Sequence, residues 1–204
     1  MPSRNVIKID VADSYYHIYA KGASKQRIFV ESSDFEYFLR LFARYLSPKP
    51  AMAKTGVAYP NYTKKIELLS YCLMNNHFHL LIYQADEGAM SNFMRSLMTS
   101  YSRYFNLKYK RTGSLFESRY KASRIDVASY LEHISRYIHL NPRFWKRYPY
   151  SSMEFYRNGS EPEWLVNHKI LNIFASRKNY MNFVQDYEAH KQMLREIKQE
   201  LADR

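Results

Sequence analysis

The sequence is poor in residues that break or cross-link a chain. Its 204 residues include 5 glycines, 7 prolines and one cysteine. So few breakers exclude a collagen-like or largely disordered chain, and the lone thiol, Cys72, excludes an intramolecular disulfide. No apolar run approaches the length of a membrane span, and residues 1–22 lack the apolar centre of a signal peptide. We therefore expect a cytoplasmic protein with no membrane partner.

Acidic residues are also scarce relative to basic ones. The chain has 31 Lys and Arg against 19 Asp and Glu, a formal net charge of +12, and it carries 20 tyrosines and 12 phenylalanines. An excess of cations favours a polyanionic partner, and aromatic rings offer faces on which unpaired bases can stack. The composition therefore favours single-stranded nucleic acid as a partner and association with the nucleoid. It leaves open a basic surface that is only solubilising, over an aromatic core.

Hydrophobic periodicity divides most of the chain into alternating strands and helices. The predicted order is a strand at 15–22, a helix from 32 to 48, strands at 66–74 and 77–84, a helix from 88 to 110, a strand within 113–126 and a helix from 127 to 142. This order predicts an α+β fold, a ferredoxin-like split βαβ with one antiparallel sheet and the helices packed on one face.

Two further regions fall outside this pattern. Residues 47–62 have no clear periodicity and predict a loop or a short hairpin insertion. Residues 165–204 predict two helices, the last of them highly charged over 186–204. We therefore expect a main domain at 1–157 and a C-terminal helical extension at 158–204.

A pair of histidines stands in the stretch MNNHFHLLI, residues 74–82. Two asparagines before the pair favour a turn, so His77 should begin a strand. Side chains alternate along a strand, which would place His77 and His79 on one face and Phe78 in the opposite layer. Two imidazoles on one face of a stiff element can bind a divalent metal. Alone, the pair fits a structural or surface role better, because a metal site needs a third donor.

A tyrosine and an asparagine lie on the later helix, in the stretch SRYIHLNP. Tyr137 and Asn141 are four residues apart, one turn above the other on one helix face. Pro142 disfavours helical geometry at Asn141, so the helix should end there with the amide projecting. A phenol, an amide oxygen and two imidazoles would supply a nucleophile and three neutral metal ligands. Packing for the tyrosine and helix capping for the asparagine stay open as alternatives.

These stretches, taken in order, carry a family resemblance. NNHFHLLI resembles the His-hydrophobic-His motif of the HUH endonuclease superfamily, and RYIHLNP resembles the YI-x-x-NP segment of the single-tyrosine transposases, particularly the REP-associated tyrosine transposases. Between them, YSRYFNLKYKRTGSLFESRYKA resembles the linking block of that family, and YPYSSMEFY resembles the segment that follows. The resemblance runs from about residue 13 to 157. The sequence departs from the family pattern at Phe116, where Trp is common, and at His139, where an acidic residue is common.

The resemblance implies a role for each residue of the two motifs. His77 and His79 match metal ligands, Asn141 matches the third ligand and Tyr137 matches the nucleophile, with Mg²⁺ or Mn²⁺ as the ion. The implied activity is that of a metal-dependent single-stranded DNA endonuclease and strand transferase acting in DNA transposition through a 5′-phosphotyrosine intermediate.

Other tyrosines near the motifs are rivals for the nucleophile. Tyr101 and Tyr104 belong to the aromatic stretch SYSRYF. They fall on the apolar face of the earlier helix, and no Asn-Pro pair follows them. We therefore prefer Tyr137, and we assign no ligand role to His139, which lies nearly on the other side of its helix.

A basic and aromatic block lies between the two motifs and offers candidates for phosphate contacts and base stacking. They are Lys108, Tyr109, Lys110, Arg111, Arg119, Tyr120, Lys121 and Arg124. The resemblance implies single-stranded DNA that forms a hairpin like a repetitive palindromic element, bound by a monomer or a homodimer. Two other functions stay open: a non-catalytic single-stranded nucleic-acid-binding module, and a metal-dependent phosphodiesterase that uses water.

Overall fold

Four antiparallel strands form the central sheet of the computed structural model, which describes residues 10–125 and 128–186. The strands are Ser14–Lys21 (β1), Ile66–Met74 (β2), His77–Gln84 (β3) and Lys121–Ile125 (β4). Their spatial order is β2-β3-β1-β4. This is the strand order of a ferredoxin-like split βαβ, so the predicted α+β fold is confirmed.

Six α-helices lie within the described residues. They are Ser32–Leu46 (α1), Ala89–Lys108 (α2), Ala128–His139 (α3), Met153–Asn158 (α4), His168–Leu171 (α5) and Arg177–Gln185 (α6). Short 3-10 turns occur at Ala23–Lys25, Trp145–Arg147 and Asn172–Phe174. No helix of the described part is long and apolar enough to cross a membrane. The predicted helix over 186–204 lies outside the described residues apart from Asp186.

The helices pack on both faces of the sheet. On one face, Leu80 of β3 lies in a buried apolar cluster with Phe38 of α1 and Leu97 of α2. On the other face, Leu81 of β3 lies in a second cluster with Ile134 of α3. The prediction that all helices pack on one face is therefore wrong, because α3 and the helices after it cover the second face.

Apolar side chains on both faces of the central strands explain the second layer. Leu81 would meet water if that face were open, and α3 covers it with an apolar stripe that includes Ile134 and Ile138. Strands that are buried on both faces have nearly continuous apolar sequences rather than alternating ones. The runs IELLSYCLM and HFHLLI carry this signal.

The hairpin of β2 and β3 turns at Asn75 and Asn76, as predicted. Neither asparagine has a positive φ, so the tolerance of asparagine for left-handed geometry is not used. Their backbone carbonyls accept hydrogen bonds from other segments instead. The amide of Ile28 donates to the carbonyl of Asn75 at 2.8 Å, and the amide of Gly22 donates to that of Asn76 at 2.8 Å. The turn therefore ties the chain after β1 to the start of β3, where His77 lies.

The insertion at 47–62 contains a small hairpin-like loop. Met52 and Ala58 form an antiparallel bridge, and Gly56 between them has a φ of +80°. The loop matches the expectation for this segment.

Residues after 158 pack into the same apolar clusters as those before. Leu165 bridges to Leu68 of β2 and belongs to the first cluster. Tyr180 of α6 is fully buried in the second cluster. The described part of the extension therefore folds against the sheet and α3, and a domain boundary at 157 stays a prediction.

One buried carboxylate joins the start of α1 to the end of α2. Asp34 accepts the backbone amides of Val30 and Glu31 at 2.9 and 3.1 Å. It also accepts Nζ of Lys108 at 2.7 Å and the hydroxyl of Tyr109 at 2.8 Å. Burial by itself raises the pKa of Asp34, but these hydrogen bonds outweigh it and hold the pKa below its ordinary value. The ionised carboxylate is thus the form that stabilises the fold.

We expect Asp34→Asn to lower the free energy of unfolding by about 3 kcal/mol, because it leaves the Lys108 ammonium without its buried partner. The folded pKa of Asp34 lies below the unfolded value, so its stabilisation is complete above about pH 4 and is lost as the pH falls through the folded pKa. Urea unfolding of both proteins at several pH values measures this. The exposed Asp86→Asn, which removes a surface pair with Lys65, is the control and should cost less than about 1 kcal/mol. Equal costs for the two variants would contradict the role of Asp34.

Candidate active site

The predicted histidines, tyrosine and asparagine lie together within one chain. His77 and His79 occupy the face of β3 that α3 covers. The ring of Tyr137 lies 5.4 Å from the ring of His79, centroid to centroid, and edge-on to it at 85°. Tyr137 is 6% exposed. Strand alternation places both imidazoles on one face, and the apolar stripe of α3 places the phenol above them.

His77 faces Asn141 through two atoms that both accept hydrogen bonds. Nδ1 of His77 lies 2.7 Å from Oδ1 of Asn76. An amide oxygen only accepts, so Nδ1 carries the proton of the neutral ring and Nε2 keeps a lone pair. That lone pair lies 3.4 Å from Oδ1 of Asn141. In this orientation the side-chain nitrogen of Asn141 is buried with no partner among the described residues. Two facing acceptors suit a cation between them.

A third histidine, which sequence reasoning did not single out, completes the cluster. Nε2 of His17 on β1 lies 3.0 Å from Nδ1 of His79, and the two rings are stacked 10° from parallel. The His17 ring also meets the edge of Tyr137 at 5.8 Å. Its only signal in the sequence is one polar residue inside the run YYHIY. That signal acquires meaning only when β1 is known to pair with β3.

Burial keeps the three imidazoles neutral. It lowers the pKa of His17 to about 3. It also lowers the pKa of His79 well below the ordinary value, and the neighbouring His17 and His77 add to this effect. The pKa of His77 is lowered by burial, which the neighbouring amide oxygen of Asn141 opposes only in part. Neutral imidazole is the form that binds metal ions.

The donor set fits a divalent ion. Two donors that are each about 2.1 Å from one octahedral ion lie about 3.0 Å apart, so the 3.4 Å between His77 Nε2 and Asn141 Oδ1 needs little closing. No three His, Cys, Asp or Glu side chains within 10–125 and 128–186 form a metal-binding group. The amide oxygen of Asn141, which faces His77, is a candidate for the third donor. The ligand roles stay a prediction.

Tyr19 of β1 is a second tyrosine beside the histidines. Its ring lies 4.8 Å from that of His79 and 5.6 Å from that of His77. It is two residues from His17 on the same strand, hence on the same face of the sheet. Any assignment of the nucleophile has to separate Tyr19 from Tyr137.

The other residues considered from the sequence lie outside this cluster. Tyr101 is buried in the apolar cluster of the opposite face, and its hydroxyl donates to the carbonyl of Ile28. Tyr104 donates to Asp34 at 3.0 Å. His139 is fully buried, with its ring nitrogens 2.6 Å from the hydroxyl of Tyr180 and 2.7 Å from that of Ser152, which is a packing role.

The eight predicted DNA-binding residues divide into two groups. Three are engaged inside the protein: Lys108 and Tyr109 bind Asp34, and Tyr120 is 7% exposed. The other five lie partly or fully at the surface, and they are Lys110, Arg111, Arg119, Lys121 and Arg124. Of these, Lys121 pairs with Tyr19 across β1 and β4, which puts it on the face of the histidines.

A groove of about 800 Å³ runs between α2 and the segment 114–120. Three arginines line it, Arg95 and Arg103 from α2 and Arg119 from the segment. The other lining residues are Ser91, Met94, Met98, Thr99, Ser102, Asn106, Ser114, Phe116, Ser118 and Tyr120. None of these lining side chains is acidic, so the groove suits an anionic ligand. Arg95 and Arg103, which sequence reasoning missed, are eight residues apart on one face of α2.

Comparison with known proteins supports the family resemblance. Residues 53–141 match the family model described as Transposase IS200 like, a match that spans all four residues of the predicted site. This part of the chain is therefore similar to the IS200-like transposases, and the match supports the family assignment that the resemblance predicted.

Two solved structures are similar to the chain. A REP-associated tyrosine transposase bound to a REP hairpin has a TM-score of 0.52 at 12% identity, over 78% of this chain and 89% of that chain. A putative transposase from Deinococcus radiodurans R1 has a TM-score of 0.38 at 15% identity, over 68% of this chain and 95% of that chain. At 12% identity the first likeness concerns the fold alone. No curated protein matches the chain.

We expect His17→Phe to weaken Mn²⁺ binding by about 10- to 100-fold, because it removes the hydrogen-bond partner that orients His79. His17→Gln keeps a hydrogen-bonding group and should retain more of the affinity. Isothermal titration calorimetry with Mn²⁺ measures both, and thermal unfolding shows whether each variant is folded. The exposed His168→Gln serves as control. Unchanged Mn²⁺ affinity in a folded His17→Phe protein would contradict this orienting role.

Proposed function

We propose that this protein is a metal-dependent single-stranded DNA endonuclease and strand transferase whose nucleophile is Tyr137. One observation carries the proposal: the phenol lies 5.4 Å from His79, ring to ring, in the same chain. Asn141 follows one turn later and faces His77. A phenol beside neutral metal-ligand side chains suits attack on a phosphodiester. Because all these groups belong to one chain, a monomer is sufficient for the site.

His77, His79 and Asn141 would hold Mg²⁺ or Mn²⁺. Once bound, the ion would neutralise charge on the non-bridging oxygens of the scissile phosphate. Imidazoles suit Mn²⁺ better than Mg²⁺, whereas the amide oxygen suits both. The protein contributes a fixed pair of ligands on β3, with His17 beneath His79 and Asn76 beside His77 setting the two rings.

In the proposed reaction, the oxygen of Tyr137 bonds to phosphorus as the bond from phosphorus to the 3′ oxygen breaks. The phenol loses its proton and the released oxygen gains one, which gives a free 3′-hydroxyl and a 5′-phosphotyrosine. A 3′-hydroxyl from another strand can reverse the step and free Tyr137. The ester is exchanged rather than hydrolysed, so strand transfer needs no ATP.

We propose a DNA hairpin with a single-stranded flank as the substrate. The similar solved transposase is bound to a REP hairpin, and this chain has the positive charge such a ligand requires. Lys121, on the histidine face, is placed for phosphates near the site. Arg95, Arg103 and Arg119 in the groove are placed for backbone farther along the DNA.

The decisive test is a covalent adduct. Incubated with a labelled single-stranded hairpin oligonucleotide and Mn²⁺, the wild-type protein should form a DNA adduct that survives denaturation. Tyr137→Phe and chelation should each abolish it, because the first removes the nucleophile and the second the ion. Denaturing electrophoresis measures the adduct.

Matched variants assign the outcome. Tyr19→Phe removes the other phenol beside the histidines and should leave the adduct, as should Tyr104→Phe on the opposite face. An adduct lost in Tyr19→Phe but kept in Tyr137→Phe would move the nucleophile to β1. Cleavage that survives in both would favour a phosphodiesterase that uses water, and tight binding without cleavage of any hairpin tested would favour a binding module.

The groove has its own test. Replacing both Arg95 and Arg103 by Gln should weaken hairpin binding and reduce the slope of log affinity against log salt by about 1.4 to 1.8, because two phosphate contacts are lost. Fluorescence anisotropy across a salt series measures this. Replacing both Lys49 and Lys54, two exposed lysines of the insertion, by Gln is the charge-matched control. An unchanged slope in the double variant would remove the groove from the DNA path.

A further inference from the structure

The turn that follows α3, residues 143–147, contains an exposed phenylalanine flanked by basic residues. Phe144 is 75% exposed, more than any other large hydrophobic side chain in the described residues. Arg143, Lys146 and Arg147 surround it in sequence, and no Asp or Glu occurs between positions 132 and 154. Burial of such a ring would ordinarily stabilise the fold, and its exposure among cations leaves an aromatic face open to an anionic ligand.

The turn is held firmly although the ring is exposed. Trp145 packs against the second apolar cluster. Arg157 donates to the carbonyl of Lys146 at 2.9 Å, and the hydroxyl of Tyr148 donates to the carbonyl of Leu73 in β2 at 2.6 Å. Contacts at residues 145, 146 and 148 therefore hold the backbone that follows Phe144, while the ring itself is presented to solvent.

The cations of the turn have no acidic partner among residues 10–125 and 128–186. The Arg143 guanidinium lies 5.5 Å from the centre of the Phe144 ring, and the Lys146 ammonium lies 5.4 Å from that of Trp145. None of Arg143, Lys146 and Arg147 forms an ion pair with an acid in the part of the chain that the structure describes. Aromatic faces beside unpaired cations are the combination that binds unpaired nucleotides.

The turn also adjoins the candidate active site. Phe144 is three residues after Asn141, so their Cα atoms are at most about 11 Å apart, and Asn141 faces His77. A strand whose phosphate lies at the histidines is therefore within reach of this turn through its neighbouring nucleotides.

We propose that Phe144 is a stacking platform for an unpaired base, with Arg143, Lys146 and Arg147 binding the adjoining phosphates. A base in a duplex is already stacked on both sides, so the platform selects single-stranded over double-stranded nucleic acid. This inference rests on the proposed function in one respect only, that a strand bound at the histidines continues toward Phe144. Binding at the turn needs neither a metal ion nor Tyr137.

Binding measured in the presence of chelator tests the platform. The probe is a labelled thymidine oligonucleotide of about 12 nucleotides, with a blunt duplex of the same length as comparison. Phe144→Ala should weaken single-strand binding about 5-fold or more, since a stacked base is lost, and should leave duplex binding unchanged. Phe144→Leu keeps an apolar side chain without an aromatic face and should be as weak as Ala, whereas Phe144→Trp should bind as well as wild type.

The cations are tested separately. Replacing Arg143, Lys146 and Arg147 together by Gln should reduce the salt slope for the single strand by about 2, roughly 0.7 for each phosphate contact. Lys54→Gln should leave the slope unchanged. A slope that the triple variant does not alter would overturn the phosphate contacts.

Several outcomes would overturn the platform itself. Wild-type binding by Phe144→Ala would do so, and so would recovery by Phe144→Leu, because a simple apolar contact would then suffice. A change of oligomeric state in Phe144→Ala, seen by sedimentation with unaltered oligonucleotide binding, would show that a second protein copy covers the ring. Weak binding by Phe144→Ala together with no adduct from wild type would retain the platform and reject the nuclease. An adduct from wild type with unaltered binding by Phe144→Ala would do the reverse.

Discussion

The burial of the apolar stripe of α3 against the second face of the sheet is the contact on which the site depends. Ile134 and Ile138 of α3 share a buried cluster with Leu81 of β3. Tyr137 lies between them in sequence and is carried into the same layer, and Asn141 follows one turn later. Without this contact, α3 would not cover β3, and neither the phenol of Tyr137 nor the amide of Asn141 would lie opposite the histidines. A packing interaction with no chemistry of its own therefore creates the chemical site.

Periodicity revealed much of this arrangement, because it is a local property. The alternation of a strand put His77 and His79 on one face, and the four-residue helical repeat did the same for Tyr137 and Asn141. The family resemblance joined the two halves, which sixty residues separate. The position of α3 was misjudged although its signal was present: strands as continuously apolar as β2 and β3 require cover on both faces.

Pairings between distant residues were beyond such reasoning. His17 joined the cluster only through the register of β1 with β3, which no short window contains. Lys108 appeared to be one more cation of a basic block until Asp34, seventy-four residues earlier, proved to hold it. Arg95 and Arg103 lie on the polar side of α2, and helical periodicity does not tell a groove on that side from open solvent. The exposure of Phe144 was equally hidden, because an isolated aromatic residue in a sequence is more often buried.

Because the three imidazoles are neutral, the electrostatic interactions of the protein fall into two classes: long-range attraction by surface cations and short-range contacts at the histidines. The formal charge of +12 counts only Lys, Arg, Asp and Glu, and in the proposed function the cations that line the groove and the turn after α3 would act on DNA through solvent. Salt screens such attraction over about 8 Å at physiological ionic strength. Contacts between the uncharged side chains of the site and a divalent ion would span only a few ångströms, which is shorter than this screening length. In the proposed function, the salt concentration therefore changes how often a DNA strand binds, whereas the reaction of the bound strand at the histidines is unaffected by it.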